Sequence, residues 1–434
     1  GVIFTGDQGG QLYIRGGAPV QNKVLMDGMV VYNPFHSIGL FSVFDTDILR
    51  SIDVYTGGFG SEFGGRVSSI MDIKTKDGNK NRTSGKIEAS TFGANLLVEG
   101  PIKKSKPESP SSLTYLLSAK TSYLDQTAET LYPYAGNGYG LPFSFTDVYG
   151  KMSLSADNGS KVNIFGFNFD DKVSNYQGIA DYFWKSFGAG TNFVVIPGNA
   201  PALLEGTIAY SSYNSGMSDI DSLPRESTID GFNVSVAMSY FMGKNTVKYG
   251  LEIVGFGTDY NYQSPLGYKV AENDFSTELG AFVNYKHVLD KWVIDIGLRA
   301  QYYASLAEFS PEPRIAVKYN LSDNVRLKAS AGLYSQNLMS ATSDRDVVNL
   351  FYGFISSPSS LPKYFKGEEV HSRLQKSQHV IFGVEYDPIK HLTLNVEGYY
   401  KNFSLLTNFN RNKVTSQDPT YLYETGSAKG VDFT

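Results

Sequence analysis

Residues 292–302 read WVIDIGLRAQY, and the order of polar and apolar letters in that stretch decides the fold. Trp292, Ile294, Ile296, Leu298, Ala300 and Tyr302 fall on one side of an extended chain. Asp295, Gly297, Arg299 and Gln301 fall on the other, joined only by Val293. A strand has a period of two, so this stretch carries one apolar and one polar face. The pattern returns in 247–253, where Val247, Tyr249, Leu251 and Ile253 oppose Lys248, Gly250 and Glu252. It returns again in 325–334 and in 391–400, where Leu392, Leu394, Val396 and Tyr400 oppose Thr393, Asn395, Glu397 and Tyr399. Strands of soluble proteins run about 5–6 residues, whereas those crossing a bilayer need about 9–11. Here the alternation often holds for the longer length.

The connections alternate as well. Short ones, rich in Asp, Asn, Gly or Pro, sit near 156–161, 241–246, 288–292, 320–324 and 387–391. Longer ones lie between them, near 121–144, 170–182, 211–228, 260–274, 336–374 and 401–422. Outer-membrane barrels have this asymmetry, with short periplasmic turns and long extracellular loops. A sandwich or a propeller has no reason to lengthen every second loop. The expected fold class is an all-β membrane protein, a large antiparallel transmembrane barrel with about fourteen to fifteen strands in this chain. The run Tyr423–Thr434 reads as the start of another strand, so more barrel is expected to follow.

Composition is consistent with this and excludes several function classes. The chain has 434 residues with 30 Tyr, 28 Phe and 44 Gly, a mixture that favours strands, turns and close backbone approach. Its mean hydropathy is −0.22, which hides a barrel because only every second residue faces lipid. No run of about 20 apolar residues predicts a membrane helix. The net charge of −5 offers no basic field for nucleic acid. With no Cys there is no disulfide framework and no thiolate site. The first residue, Gly1, follows no leader pattern, so an internal fragment with a removed signal peptide is expected.

The N-terminal part has a different texture. It is Gly-rich, with short apolar runs: IRGG at Ile14–Gly17, VLMDGMVVYN at Val24–Asn33, DILRSIDVYTGG at Asp47–Gly58 and EFGGRVSSIMDIKTK at Glu62–Lys76. In order and spacing this set resembles the plug domain of TonB-dependent receptors. It gives an Arg-Gly strand end, a strand closing on Asp-Gly, a short helix, a strand ending in Gly-Gly, and a final strand leading into the barrel. The variant with YNPFH, GGRVSS and DIKTKDGN is similar to receptors abundant in Bacteroidota. GGFGSEFGG is not a phosphate loop, because it lacks the Lys-Ser/Thr pair and leads into a strand.

The resemblance implies an α+β plug in residues 1–78, inside a barrel formed by 79–434 and by strands beyond it, about 22 in all. It implies an outer-membrane protein of a Gram-negative bacterium that imports a scarce nutrient: a siderophore, glycan or peptide. The energy would come from the inner-membrane TonB–ExbB–ExbD motor. A surface lipoprotein or another outer-membrane protein is a further expected partner, beside the lipid bilayer, and no cofactor is expected. In the family, plug arginines pair with wall carboxylates. Arg15 and Arg66, with Glu62, are therefore the candidates for locking plug to barrel, and Glu252, Asp295, Glu385 and Glu397 are possible wall partners. The family's ligands sit on plug apices, which by position are Pro19–Asn22 and Tyr32–His36. Gln21, Asn22 and Asn33 offer amides there, and Tyr32, Phe35 and His36 offer flat surface. The alternative is a receptor-fold barrel reused as a structural or accessory subunit of a larger outer-membrane complex. A soluble all-β adhesin or lectin is a third reading.

No enzymatic constellation is present in the letters. His36, His287, His371, His379 and His391 form no metal-ligand spacing, and there is no GxSxG elbow. Asp170–Asp171 with loop oxygens is the one pair considered for Ca²⁺, against the simpler reading of solvated acids. Glu368–Glu369 reads as solvated charge. The loop 336–374 carries Tyr352, Phe354, Tyr364 and Phe365, suited to covering a ligand or binding a partner.

Overall fold

The computed structural model describes residues 2–5, 11–36, 42–106, 111–134, 141–176, 180–219, 221–263, 269–341, 351, 353–356, 361–410 and 417–434. Tyr352 lies outside the described residues. Six short strands come first: β1 (Val2–Thr5), β2 (Gln11–Ile14), β3 (Asn22–Met26), β4 (Met29–Val30), β5 (Leu49–Tyr55) and β6 (Ser69–Thr75). β1 pairs with β2, and the other four form one sheet in the order β4-β3-β6-β5. β3 and β6 are parallel and buried, with Val24, Met26, Ile70 and Ile73 in the core. The helical turns of this part are the 3-10 segments Pro19–Gln21 and Thr46–Ile48, the second capped by the Asp45 carboxylate, which accepts from the Asp47 amide. Among the described residues, the short helix expected before Asp47–Gly58 is a single 3-10 turn.

The wall follows: β7 (Ser84–Ala89), β8 (Gly93–Lys103), β9 (Ser112–Ser122), β10 (Phe143–Ser155), β11 (Lys161–Tyr176) and β12 (Ala180–Val195). It continues with β13 (Ala202–Asp219), β14 (Arg225–Met242), β15 (Asn245–Gln263), β16 (Lys269–Val288), β17 (Trp292–Tyr303), β18 (Glu308–Asn320) and β19 (Val325–Gln336). Four small strands interrupt it: β20 (Leu338–Ser340), β21 (Phe354–Ser356), β22 (Tyr364–Phe365) and β23 (Glu368–Glu369). β24 (Gln375–Ile389), β25 (Leu392–Phe409) and β26 (Tyr421–Phe433) complete it. All sixteen wall strands form one antiparallel sheet in chain order, with β19 beside β24. One helix, Leu124–Leu131, lies in the connection between β9 and β10.

Among the described residues the wall has sixteen strands, against the fourteen to fifteen expected, and several strands run on into the long connections. At 170–182, 211–228 and 260–274 the sheet continues through most of the expected loop, because β11 to β16 run 16 to 20 residues. The same is true of 401–422, which β25 and β26 enter from both sides. Beyond the bilayer neither face of a strand meets lipid, so the alternation fades while the hydrogen-bonded ladder goes on.

Within the bilayer the two faces separate as the letters require. Leu251, Ile296, Leu298 and Val380 are exposed on the outside, as lipid-facing side chains must be, whereas Arg299, Gln301 and Glu278 are buried against the inner sheet. Among the described residues no helix is long and apolar enough to cross a membrane. Leu251, 64% exposed in the middle of β15, gives the test. Leu251→Arg should destabilise the barrel by about 2–4 kcal/mol in lipid vesicles, the cost of a cation near the bilayer midplane. Urea-unfolding midpoints measured beside the parent protein check it.

Candidate functional site

The four-stranded sheet and its loops sit inside the curve of the wall, and the contacts between the two make up the site. At the end where the long connections lie, the segment Tyr32–His36 reaches across to β10, β11 and β13. His36 is buried, with Nε2 2.8 Å from Asp147 and Nδ1 3.3 Å from Asp171. Its ring stacks on Phe145 at 3.8 Å between centroids and 11° between planes. Burial alone would lower the pKa of this imidazole. The hydrogen bonds and charges of the two aspartates outweigh it and raise the pKa above the ordinary value. Lys120, on β9, stands 3.5 Å from the same Asp147 carboxylate. Asn33 donates to the Tyr213 hydroxyl and accepts from the Phe35 amide. Burial raises the Tyr32 phenol's pKa, so it stays neutral.

This outer end is covered. β20 and β21 pair as a hairpin that folds inward, with Leu338, Met339, Phe354 and Ile355 all buried. Phe354 packs on Tyr32 at 5.8 Å and on Tyr213 at 5.9 Å, while its amide donates to Ser227. Phe351 stacks on Tyr260 and Tyr262. The hairpin thus occupies the space directly over the Tyr32–His36 segment.

Charged side chains fasten the inner sheet to the wall. Arg15 donates through Nη2 to Glu397 at 2.6 Å and through Nε to Asp432 at 2.8 Å, and lies 4.8 Å from the Tyr399 ring. Lys23 pairs with Glu252 at 3.1 Å, and Arg299 meets the same carboxylate at 2.5 Å. From the wall, Arg299 also donates to the carbonyls of Ser61 and Glu62. Arg314 donates to the carbonyls of Gly60 and Phe63, and Lys401 to that of Ser68. The segment Gly57–Ser68 has few backbone partners of its own, so these cations satisfy carbonyls that would otherwise be buried unpaired. Gly58 lies so close to Ser330 that a Cβ there would come 2.4 Å from the hydroxyl oxygen, and its φ of +63° favours glycine.

A second fastening lies across the lumen from Arg15. Between β3 and β4 the chain turns at Asp27 and Gly28, whose φ values of 51° and 88° make the tight hairpin turn that Asp-Gly prefers. The Asp27 carboxylate accepts from the Tyr149 hydroxyl at 2.5 Å, from Thr75 Oγ1 at 2.6 Å and from Lys151 at 3.4 Å. Its carbonyl accepts from Asn192, and that of Gly28 from Asn233. Below this turn, toward the short-turn end, inner sheet and wall part to leave a cavity of about 430 Å³. Lys74, Lys161, Lys248, Asp72 and Glu205 line it, so its surface is polar and of both signs.

Of the residues singled out from sequence, Arg15 does join inner sheet to wall, and Glu397 is its partner. Arg66 donates to the Gly65 carbonyl, and its charge acts on Glu278 of β16 and on Tyr32. Glu62 contributes its carbonyl to Arg299, and its side chain lies at the cavity. Asp295 accepts from Asn284, and Glu385 pairs with Arg326 and Lys328 within the wall. Gln21 and Asn22 are buried and spoken for: Gln21 accepts from the Ala18 amide, and Asn22 donates to the carbonyls of Leu12 and Ala18 and accepts from Ser69. They hold the 3-10 turn rather than face the lumen. Asp171 turns to His36, and Asp170 approaches Lys185. Among the described residues no acid or His group clusters as metal ligands do. Sequence reasoning missed Lys23, Asp27, Arg314 and Lys401. Only the Asp-Gly dipeptide carried a local signal, because the other three depend on how the inner part is rotated within the wall.

Residues 1–69 match the family model of the TonB-dependent receptor plug domain. The fold is similar to that of the siderophore receptor PirA from Pseudomonas aeruginosa, at 13% identity and a TM-score of 0.69 over 97% of this chain and 75% of that one. It is similar to the ferric enterobactin receptor PfeA of the same organism, at 13% identity and a TM-score of 0.68 over 100% and 73%. The outer membrane transporter YddB of Escherichia coli matches at 13% identity and a TM-score of 0.63 over 99% and 69%. No curated protein sequence matches.

Two outcomes follow from the fastenings. Glu252→Gln leaves the buried Lys23 and Arg299 without their carboxylate, which should cost about 3–5 kcal/mol, as breaking a buried pair does. Trp184 packs in the core shared with Met29 and Val31, so its fluorescence in a urea titration reports the loosening. For His36 the folded pKa is raised, so its stabilisation is complete below its unfolded value near pH 6.5 and is lost as pH rises through the folded value. Thermal midpoints in detergent should therefore fall from pH 6 toward pH 9, and His36→Gln should flatten that fall.

Proposed function

We propose, from the premise that residues 1–69 are a TonB-dependent receptor plug domain and that the chain has the plugged outer-membrane barrel fold of such receptors, that it imports a scarce nutrient by plug rearrangement. The observation that carries this reading is the seat of the plug. It stands within the wall, held by polar fastenings that can be broken one at a time, with Tyr32–His36 toward the outer end and a cavity toward the inner. The division into a plug of residues 1–78 and a barrel of 79–434 belongs to the same reading. It is supported by the end of the plug sheet at Thr75 and the start of the wall at Ser84.

The inner-membrane TonB–ExbB–ExbD motor supplies the work, since the outer membrane holds no nucleotide. The cargo is a siderophore, glycan or peptide, and the likeness in fold to receptors named for siderophores and ferric enterobactin supports the first of these. Asn33, Phe35, His36 and Tyr32 are the plug's contribution to the ligand site, with Gln21 and Asn22 supporting the neighbouring turn. Arg15 locks the plug at rest. A surface lipoprotein is a suitable partner at the rim. Nothing in the site suggests catalysis.

One feature favours the alternative, a barrel reused as a structural or accessory subunit of a larger outer-membrane complex. The hairpin of Leu338–Ser340 and Phe354–Ser356 fills the space where a ligand would sit. Uptake separates the two. The full-length protein, in a host lacking its own receptors, is offered ferric siderophores, oligosaccharides and peptides with tonB intact or deleted. Accumulation of one class that vanishes on deletion supports transport. Uptake that persists without TonB, or no uptake together with a stable set of co-purifying membrane proteins, overturns it.

A further inference from the structure

We infer that a hydrophilic solute crosses this protein along one side of the plug, through the cavity beside β11 to β15, and that the Asp27–Gly28 turn is the gate above it; this rests on the transport reading. The space itself is the first argument. The cavity lies between the plug sheet and wall residues such as Asn163, Asn192, Glu205 and Lys248, each near the short-turn end of its strand. Its lining of amides, ammonium groups and carboxylates can exchange hydrogen bonds with a polar solute in passing. Phe193, Val236 and Phe282 stand between these polar groups.

The distribution of fastenings is the second argument. Along β17 to β25 the wall grips the plug segment Gly57–Ser68 by its backbone, through Arg299, Arg314, His379 and Lys401. Opening a path there would strand several buried carbonyls and cations together. Along β10 to β14 the polar contacts gather on one hairpin tip. They are the Asp27 and Gly28 contacts with Tyr149, Lys151, Asn192 and Asn233. Outward from the turn, Met29 and Val31 pack with Phe167, Phe169 and Tyr213 in an apolar cluster. Apolar contacts have no angular requirement, so surfaces held by them slide apart without leaving a polar group unpaired. The turn residues also line the cavity: Asp27, Gly28, Thr207, Asn192 and Asn233 form its upper lip. Moving the hairpin tip and parting the apolar cluster outward of it therefore joins the cavity to the outer end.

Residues 1–434 contain no cysteine, so thiols engineered there stand alone among them. A Cβ at Gly28 would lie 3.2 Å from the Thr207 Cβ, and one at Gly58 would lie 3.2 Å from the Ser330 Cβ. Both glycines have left-handed φ, so Gly28→Cys with Thr207→Cys and Gly58→Cys with Ser330→Cys are matched locks, one on each side of the plug. Lys248→Cys, two strands from the first lock and four from the second, marks the cavity. Cells carrying the full-length protein receive a hydrophilic maleimide too large for general porins. We expect Lys248→Cys to be labelled when TonB is energised, the labelling to be lost with the Gly28–Thr207 lock and restored by reductant, and the Gly58–Ser330 lock to leave it intact. Loosening the turn with Tyr149→Phe, Asn192→Ala and Asn233→Ala should permit labelling without TonB. Labelling that survives the first lock, or is lost only with the second, overturns this route while leaving transport standing. No labelling in energised cells, with every lock reduced and the turn loosened, overturns transport and the route together.

Discussion

A peptide group inside a bilayer has no water to bond to, so every N–H and C=O at that depth must find its partner in the protein. A long antiparallel sheet answers this with strand-to-strand bonds alone, and the rest of the molecule follows from that choice. Alternate side chains must then face lipid and lumen, which gives the period of two. A wall of this many strands encloses a lumen too wide for its own side chains to fill, so a folded unit must occupy it. That unit meets a polar wall, and its own loops must be satisfied there. The cations of the wall do this for the carbonyls of Gly57–Ser68, and Asp27 does it for Tyr149 and Lys151.

The two fastenings differ in kind. Arg15, held by two carboxylates and a ring, is a side chain of the plug reaching outward to β25 and β26. Arg299, Arg314 and Lys401 reach inward from the wall to bare backbone. A contact to a carbonyl is indifferent to the identity of the residue that owns it. That stretch of plug is therefore constrained in shape, as its glycines show, more than in side-chain chemistry. Around Tyr32–His36 the reverse holds: the contacts run through side chains, and an aspartate pair fixes one imidazole.

The parts of this arrangement that were legible in the sequence are those set by local physics. Trp292–Tyr302 and Val247–Ile253 alternate because each strand meets two media, and the structure puts Leu298 and Leu251 outside and Arg299 and Glu252 inside. The Asp-Gly turn could be reached by pattern, and Arg15 through the family resemblance, with Glu397 one of four possible partners. What could not be reached depends on rotation of plug against wall. His36 meets Asp147 across 111 positions of chain, and no short window records that. Lys401 falls where alternation had faded, so it read as loop although it sits in β25. The excess strand length was missed for the same reason, since outside the bilayer the two faces of a strand meet the same solvent.

That excess length has a consequence of its own. β15 and β16 have 19 and 20 residues, and a strand of that length, tilted as barrel strands are, stands about 50 Å tall, against an apolar band of about 25 Å. The surplus rises from the membrane as a stiff parapet. A solute must descend a well before it meets the plug, and a surface protein seated here would rest on the crest of the sheet, clear of the lipid headgroups. Lipopolysaccharide around it would be held at arm's length from the mouth.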